Sequence, residues 1–329
     1  MKRRTFMKTT VATVAAMGDA PVQSSVEAQK GTLGAEMPKR PYGQTGVFLS
    51  IVGLGGMVLN GTEQNQANTI VRDAIRAGIN YFDVAPTYGD AELKLGPALE
   101  PYRKDVFLAC KSTERTKSGI NEELNRSLER LRTDHFDLYQ LHALTTVEDI
   151  RTAFGKNGAL EAVLDAREKG TIRYIGFSAH SIEAAMEALE YYRFDSILVP
   201  LNFVTWYHGN FGPQLVEYAR SRGAAVLALK SMALTRLPRG EKSPFPNCWY
   251  QPVTDAETAA LALRFTLSLP VTAAVPPGDE SLWRRAVTLA PSFLPLSEAE
   301  HNHLQSLAGA TEPIFSYPSD QFNLVGKKG

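Results

Sequence analysis

The chain has little cysteine, no excess of either charge and no long apolar run. Its 329 residues include two cysteines, Cys110 and Cys248, which are too few for a disulfide scaffold, a cysteine-ligated iron–sulfur cluster or a structural zinc site. A single bridge between them is an open alternative, although Cys110 lies in a segment expected to be a buried strand. Basic and acidic residues number 35 each, so a nucleic acid is not expected as a partner. No apolar stretch reaches the ~20 residues of a membrane span.

The first 28 residues have the composition of an export signal. A basic start that contains Arg3 and Arg4 is followed by a weakly apolar run, and the segment VEA at 26–28 would suit a small-residue cleavage site. Residues 1–28 resemble a twin-arginine signal, which would make the translocation machinery a partner and the location periplasmic or otherwise exported. A basic tail on a cytoplasmic protein is the alternative. Residues 29–37 are interpreted as a linker.

Short apolar runs alternate with amphipathic segments over residues 38–310. The runs cover 47–56, 79–86, 105–112, 136–144, 172–180, 194–203, 224–232 and 271–278. Helical patterns lie between them, for example at 67–78, 120–132 and 159–170, and Gly78, Gly170 and Gly223 stand where helix C-caps are expected. Continuous apolar runs are typical of strands buried on both faces of a parallel sheet.

Eight strand–helix units predict a single α/β domain, a (β/α)8 TIM barrel at residues 38–310 with a tail at 311–329. A doubly wound sheet is the competing fold. It would need a glycine-rich phosphate loop after its first strand, and the GLGGM segment at 53–57 lacks the G-x-G-x-x-G spacing. The barrel is therefore favoured.

Polar side chains stand at the carboxyl ends of neighbouring predicted strands. Asp83 closes the second run and Tyr88 follows in its loop, while Lys111 and His142 close the third and fourth runs. Each residue alone has a structural explanation, such as a helix cap, a lysine that reaches solvent or a core histidine. Barrel enzymes build their sites at this end of the strands, so the shared position favours a site.

This set of side chains suits proton donation by a phenol. Free tyrosine has a pKa of about 10, and a nearby ammonium lowers that pKa while a carboxylate keeps the ammonium charged. Asp83 would then hold Lys111, Lys111 would lower the pKa of Tyr88, and His142 would position the substrate oxygen. No side chain supplies a hydride, so a nicotinamide is required for reduction.

The segments FDVAPTYG, ACKS and LYQLH, with YGQTGVFLSIVGLGGM before them and RYIGFSAHS after them, resemble the aldo-keto reductases. The resemblance implies a barrel that binds NADPH and reduces an aldehyde or ketone to an alcohol, with Tyr88 as general acid and Asp83, Lys111 and His142 as its partners. NADH is the alternative cofactor, because the acidic pair at 279–280 stands where a 2′-phosphate would favour cations.

The resemblance also implies cofactor-binding positions at several strand ends. They are Gly55, Gly56, Met57, Ser178, Asn202, Leu229, Lys230, Ser231, Met232, Gly278, Ser281, Arg284 and Arg285. Many members stack an aromatic residue on the nicotinamide from the seventh strand; this chain has Leu229, Lys230 and Met232 there, so an aliphatic contact is expected instead. Lys230 is either a second cation near the pyrophosphate or a lysine that reaches solvent. An aromatic substrate pocket is expected, walled by Trp206, Tyr207, Phe211 and Trp249 with the neighbouring Tyr250. Surface loops that pack on the barrel would have the same composition.

Two other functions are compatible with the same barrel. A Schiff-base lyase would use Lys111 or Lys230 as an amine nucleophile and would not need nicotinamide. A non-catalytic module would bind nicotinamide as a sensor or partner surface, and its function would survive the Tyr88→Phe change. A metal site is not expected, since His301 and His303 stand two apart on a predicted helix and face different sides.

Overall fold

The structure is a computed structural model that describes residues 36–318. The proposed export signal at 1–28, the linker residues 29–35 and the tail residues 319–329 lie outside the described range. Within residues 36–318, no helix has the length and apolar character needed to cross a membrane.

Strands and helices alternate along the described chain. The strands are β1 (Lys39–Pro41), β2 (Phe48–Ser50), β3 (Leu54–Gly55), β4 (Tyr81–Asp83), β5 (Phe107–Ser112), β6 (Phe136–Leu144), β7 (Ile172–Ala179), β8 (Ser196–Pro200), β9 (Ala225–Leu229), β10 (Ala233–Arg236), β11 (Tyr250–Pro252) and β12 (Ala273–Val275). The helices are α1 (Gln64–Arg76), α2 (Ala91–Leu99), α3 (Lys117–Leu131), α4 (Val147–Phe154), α5 (Ala159–Glu168), α6 (Ile182–Tyr191), α7 (Phe203–Tyr207), α8 (Pro213–Ser221), α9 (Ala256–Ser268), α10 (Glu280–Leu289) and α11 (Glu298–Gly309). Short 3-10 helices cover Gly56–Leu59, Glu100–Asp105 and Ala290–Ser292.

Eight parallel strands form the central sheet in the order β3-β4-β5-β6-β7-β8-β9-β12. Its two edges meet at a parallel bridge between Val52 and Ala274. The backbone N–H of Gly53 donates to Ala274 O at 3.0 Å, and that of Ala274 donates to Ile51 O at 2.8 Å. These bonds close the sheet into a barrel, so the predicted (β/α)8 fold is confirmed.

Alternate residues of the strands fill the inside of the barrel. Tyr81, Leu138 and Leu227 are fully buried there in one apolar cluster. The same cluster includes Tyr42, from the β1–β2 hairpin, whose hydroxyl donates to Ser196 Oγ at 2.8 Å at the start of β8. The hairpin therefore covers the amino-terminal ends of the strands, and the carboxyl ends are left for a site.

The helices pack on the outside of the barrel through one apolar face each. In α1 this face is Ala67, Ile70, Val71 and Ala74, which is the spacing of a helix stripe. The predicted glycine C-caps are confirmed: residues 78, 170 and 223 have φ of 82°, 78° and 81°, a region that glycine adopts without a steric penalty.

The structure differs from expectation in the first apolar run and resolves the cysteine question. Residues 47–56 contain two strands rather than one, because the Ser50 hydroxyl donates to Val52 O at 2.8 Å and turns the chain between β2 and β3. Cys110 and Cys248 are both buried and free, so the open alternative of a bridge between them is wrong.

Candidate active site

Three polar side chains form the layer above the apolar interior. Asp83, Lys111 and Gln140 each follow an interior residue of their strand by two positions, namely Tyr81, Ala109 and Leu138. Side chains two apart on a strand face the same side. All three therefore point into the barrel at its carboxyl end.

The Asp83 carboxylate is at the centre of this layer. It forms an ion pair with Lys111 through Oδ1, and the two side chains are 3% and 0% exposed. Its Oδ2 accepts from the Tyr81 hydroxyl at 3.1 Å and from Gln140 Nε2 at 3.0 Å. Tyr81 and Gln140 were not predicted as site residues. The strand period could have indicated them, since each stands two positions before Asp83 or His142.

Lys111 is held as an ammonium beneath Tyr88. Burial alone would lower the pKa of Lys111, but the Asp83 charge, the electrostatic interaction with Tyr88 and the hydrogen bond to Asp83 together raise it above its ordinary value. Lys111 Nζ also donates to Val84 O at 3.3 Å and lies 5.2 Å from the centroid of the Tyr88 ring.

The pKa of Tyr88 moves in the opposite direction from the sequence expectation. Burial raises the pKa of Tyr88 above its ordinary value, while Lys111 acts to lower it and Asp83 to raise it. The expected effect of Lys111 is present, but burial outweighs it. The phenol therefore keeps its proton at neutral pH.

His142 is a neutral imidazole beside Tyr88. The two rings are 5.8 Å apart and nearly perpendicular, and His142 Nδ1 lies 3.5 Å from Thr87 Oγ1. Burial, with the positive charges of Lys111, Lys230 and Arg115, lowers the pKa of His142 to about 3. This side chain therefore acts as a neutral hydrogen-bonding group.

The backbone after His142 is fixed by two neighbouring strand ends. Arg115 NH2 donates to the carbonyl oxygens of His142 and Ala143 at 2.8 and 3.2 Å. The N–H of Ala143, which has a φ of 56°, donates to Ser178 Oγ at 2.8 Å. Ser178 thus supports the His142 segment in addition to its predicted cofactor position.

A cavity of about 490 Å³ opens at this end of the barrel, a size typical of small-molecule sites. It brings together the four predicted catalytic residues and seven other predicted site residues: Gly55, Met57, Ser178, Leu229, Lys230, Gly278 and Trp249. Tyr250, next to Trp249, also lines the cavity as expected, whereas sequence reasoning missed Thr87, His180, Leu198, Asn247, Val275, Pro276 and Phe315. Those in the later loops reach the cavity through tertiary packing that no local pattern indicates.

Phe315 shows that the described part of the C-terminal tail folds over the cavity rim. Its ring stacks on His180 with centroids 5.1 Å apart and contacts Trp249 at 5.9 Å. The backbone N–H of Tyr317 donates to Gly209 O at 2.8 Å. The tail therefore contributes to the cavity wall.

Four predicted cofactor residues near the cavity are buried beside it rather than in its lining. Asn202 caps α7 by accepting from Thr205 N at 2.9 Å, and its Nδ2 donates to Lys230 O at 3.4 Å. Ser231 and Met232 are fully buried, and Gly56 packs against Val84. These four residues pack beside the strand ends on which the lining residues lie.

The predicted residues after the eighth barrel strand make contacts within the protein. Arg284 pairs with Asp73 at 3.1 Å and Glu280 at 2.7 Å, and Arg285 NH1 donates to a backbone carbonyl, Thr254 O, at 2.6 Å. Asp279 Oδ1 accepts from the N–H of Ser281 at 2.9 Å and of the following residue at 3.2 Å. The start of α10 thus already holds a carboxylate where an anion was expected.

Three of the five aromatic residues predicted to wall the pocket are not in its lining, which corrects that expectation. Trp206 and Tyr207 belong to α7 and pack on Phe265, with centroids 6.2 and 5.2 Å apart, and the Tyr207 hydroxyl lies 2.7 Å from His301 Nδ1. Phe211 is buried and contacts Phe315 at 5.5 Å. Part of the segment expected to be a loop is the short helix α7, which directs Trp206 and Tyr207 toward the outer helices.

The lining fits a nicotinamide ring. Leu198, Leu229 and Val275 give the cavity an apolar surface beside the Tyr88 phenol. The buried Ser178 hydroxyl accepts one hydrogen bond from Ala143 N and keeps its own proton to donate to a carboxamide oxygen. An apolar surface with a few placed polar groups is the usual form of a cofactor site.

Comparisons with known proteins agree with this geometry. The model of the Aldo/keto reductase family matches residues 51–308. The uncharacterized oxidoreductase YqkF of Bacillus subtilis is 39% identical over 157 residues, which cover 44% of this chain and 49% of that protein. The NADH-specific methylglyoxal reductase of Escherichia coli is 32% identical over 193 residues, covering 49% of this chain and 58% of that protein. The chain thus spans about half the length of the curated relatives it matches.

A solved structure supports the same assignment. The aldo-keto reductase of Bacillus halodurans, in its holo form, superposes with a TM-score of 0.67 at 26% sequence identity, over 85% of this chain and 99% of that chain. The family model covers most of the chain, and the barrel and the cavity at its carboxyl end are consistent with it. The chain belongs to the aldo/keto reductase family.

Proposed function

We propose that this chain uses a reduced nicotinamide dinucleotide to convert an aldehyde or ketone to an alcohol. The observation that carries the proposal is the buried Lys111–Asp83 pair beneath the Tyr88 ring, in a cavity with a neutral His142. The combination provides one proton donor and one orienting group for a carbonyl oxygen, and the family membership supports the same chemistry.

The proton step belongs to Tyr88 and its neighbours. When bound, the reduced nicotinamide supplies the hydride for the carbonyl carbon. Tyr88 donates its phenolic proton to the carbonyl oxygen, on which negative charge develops. The raised pKa of Tyr88 keeps that proton in place before the reaction. The Lys111 ammonium then stabilises the phenolate that is left, and Asp83 keeps Lys111 charged.

His142 orients the carbonyl oxygen toward Tyr88. With a pKa of about 3 it is uncharged across the physiological range, so it contributes a neutral hydrogen bond rather than a second proton for transfer. The His142 ring is held in place by its contact with the Tyr88 ring and by the hydrogen bond from Arg115 to the His142 carbonyl. A donor fixed before substrate arrives costs little reorganisation in the reaction.

The cofactor preference is proposed from the contacts of Arg284. The sequence favoured NADPH, with Arg284 or Arg285 on the 2′-phosphate. Arg284 instead pairs with Asp73 and Glu280, and a phosphate would have to compete with both carboxylates. We therefore expect NADH to bind at least as tightly as NADPH.

A Schiff-base lyase that uses Lys111 is disfavoured by the same site. A lysine amine attacks a carbonyl only when it is unprotonated, and the pKa of Lys111 is raised by Asp83 and Tyr88 despite its burial. Borohydride trapping with a carbonyl compound, in the absence of nicotinamide, would detect such an adduct on any lysine.

The export signal and the periplasmic location stay predictions. Replacement of Arg3 and Arg4 by lysine, followed by fractionation of cells that express the chain, tests them. Retention of the doubly substituted chain in the cytoplasm together with export of the unchanged chain would support the twin-arginine route. Equal distribution of the two would contradict it.

Fluorescence titration with NADH and with NADPH tests the cofactor site, and turnover of a carbonyl panel tests the reaction. Saturable binding of either cofactor, with its consumption in the presence of an aldehyde, is the expected result. Binding without turnover would instead support the sensor module. Absence of binding for both cofactors at millimolar concentration, above the usual range of cofactor affinity, would overturn the reductase proposal.

A further inference from the structure

Lys230 brings a second ammonium to the active-site cavity, and no carboxylate within residues 36–318 contacts it. Its Nζ lies 3.4 Å from His180 Nε2, 5.4 Å from the centroid of the Trp249 ring and 5.9 Å from that of Phe315. Aromatic faces attract a cation but supply no countercharge. The charge of Lys230 is therefore not balanced by its neighbours.

The rest of the described cavity lining does not balance that charge either. The carboxylate of Asp83 is already engaged by Lys111. His180 is held neutral, because burial and then the charge of Lys230 lower its pKa well below the ordinary value. With the ammonium protonated, the lining carries one net positive charge, located at Lys230. A cavity whose lining carries an unbalanced positive charge favours a ligand with an anionic group.

The backbone gives no reason for a lysine at this position. Lys230 has a φ of 60°, in the left-handed region that glycine and asparagine adopt more readily than other residues. If only the turn after β9 mattered, glycine or asparagine would suit this position better than lysine. The lysine side chain, whose Nζ lies beside the rings of Trp249 and Phe315, therefore points to a role in the cavity.

We propose that Lys230 binds an anionic substituent of the carbonyl substrate, so that the natural substrate is an oxo acid: an aldehyde or ketone that carries a carboxylate. The inference rests on the proposed reduction, which places the carbonyl group at Tyr88 and His142. Trp249 and Phe315 then cover the body of the substrate between the two ends. The pyrophosphate of the cofactor, which the sequence suggested as the partner of Lys230, is the competing source of the anion.

Two isosteric aldehydes distinguish a substrate carboxylate from the cofactor pyrophosphate as the anion that Lys230 binds. 4-Carboxybenzaldehyde carries a carboxylate, and 4-formylbenzamide replaces it with a neutral amide of nearly the same shape. In Lys230→Met we expect KM for the acid to rise about tenfold or more and KM for the amide to stay within about twofold, the scale of a lost hydrogen bond to a charged group. The Kd of the cofactor should be unchanged. Lys242→Met, which removes an exposed lysine from the loop between β10 and β11, is the matched control and should leave both KM values unchanged.

Equal losses for both aldehydes would overturn the proposal, since they would indicate a structural role for Lys230. A raised Kd for the cofactor, with both aldehydes affected, would overturn it in favour of the pyrophosphate. Lys230→Asn, whose residue tolerates a positive φ, serves as a second variant if the methionine variant does not fold.

A binding measurement separates failure of the anion site from failure of the proposed reduction. The alcohols that reduction of the two aldehydes would give, 4-(hydroxymethyl)benzoate and 4-(hydroxymethyl)benzamide, are titrated with tryptophan fluorescence as the readout, and no turnover is required. Lys230-dependent preference for the benzoate without any aldehyde reduction would support the anion site and overturn the reduction. Reduction of both aldehydes, with equal affinity for the two alcohols, would support the reduction and overturn the anion site.

Discussion

Lys111 and Asp83 form an ion pair that is closed to solvent, with side-chain exposures of 0% and 3%. Further hydrogen bonds fix the pair: Tyr81 and Gln140 donate to the second carboxylate oxygen, and Lys111 also donates to Val84 O. A buried pair of this kind is stable only while both partners are present. Its geometry keeps an ammonium beside the Tyr88 ring, where the proposed reaction needs it.

Removal of one partner tests the pair. Asp83→Asn leaves the Lys111 ammonium buried without its countercharge, so we expect a loss of about 3 kcal/mol of unfolding free energy and a fall in kcat of about 10²-fold or more. Urea denaturation and steady-state turnover measure the two effects. The double variant Asp83→Asn/Lys111→Met should regain stability without regaining activity. Near-normal turnover in Asp83→Asn would show that the charge on Lys111 is not needed.

The acid limb of the pH profile tests the neutral state of His142. Because the pKa of His142 in the folded protein is about 3, kcat/KM for a neutral aldehyde should show no group that titrates between pH 5 and pH 7, within the window of an ordinary histidine at about 6.5. A clear inflection near pH 6.5 that disappears in His142→Asn would contradict the assigned neutral role.

Stability against acid follows from the same lowered pKa. Below pH about 6.5 the unfolded chain protonates this histidine while the folded chain does not. His142 therefore contributes a loss of unfolding free energy as the pH falls from about 6.5 toward about 3. Urea denaturation at several pH values should show a smaller acid-dependent loss for His142→Asn than for the unchanged chain. Equal slopes for the two proteins would contradict the lowered pKa.

The preference for an anionic aldehyde should depend on the protonation of Lys230. Burial and the charge of Lys111 lower the pKa of Lys230 to about 7, against a small raising effect of Cys248. The groups around it are Lys111, Tyr88, His142, His180, Tyr250 and Cys248, and each keeps one protonation state near pH 7, since their pKa values are shifted away from neutrality.

Lys230 is therefore mostly protonated at pH values below about 7 and mostly neutral above it. The ratio of kcat/KM for 4-carboxybenzaldehyde over 4-formylbenzamide should fall as the pH rises through this value. Lys230→Met should give a low ratio that does not change with pH. A constant high ratio from pH 6 to pH 9, a span over which a group of pKa about 7 titrates, would exclude Lys230 as the anion-binding group.

Cofactor choice tests the contacts at the start of α10. Asp279→Asn keeps a good N-cap residue and removes the carboxylate that caps the helix, so we expect the Kd for NADPH to improve about threefold to fivefold relative to that for NADH. Fluorescence titration measures both. Arg284→Ala is the matched control and should change neither Kd strongly, because Arg284 is paired with Asp73 and Glu280. A tenfold loss of NADPH affinity in Arg284→Ala would support the expectation from the sequence that Arg284 binds the 2′-phosphate.

The sequence predicted those parts of the structure that repeat locally. The apolar run at 136–144 coincides with β6, and the carboxyl-end residues Asp83, Lys111 and His142 meet in one cavity because neighbouring parallel strands end at the same edge. Helix ends at Gly78 and Gly170 followed from the left-handed conformation that glycine adopts.

Contacts between distant segments could not be predicted in this way. Phe315 reaches the cavity across the rim. Asn247 contacts the segment after β3 by donating to Met57 O at 2.9 Å. Trp206 and Tyr207 were expected to wall the pocket, but the helix at 203–207 directs Tyr207 to His301. The direction of the Tyr88 pKa shift also depended on burial, which competes with the charge of Lys111 and has no local sequence signal.

The most direct test of the proposed reaction is a single-turnover experiment with the purified chain, a reduced nicotinamide cofactor and 4-formylbenzamide. Oxidation of the cofactor is followed in the unchanged chain, in Tyr88→Phe and in Tyr139→Phe, which removes a buried phenol on the helix-facing side of β6. We expect Tyr88→Phe to bind the cofactor normally and to transfer hydride about 10²- to 10⁴-fold more slowly, while Tyr139→Phe reacts at the normal rate. Hydride transfer at an unchanged rate in Tyr88→Phe would contradict the assignment of Tyr88 as the proton donor.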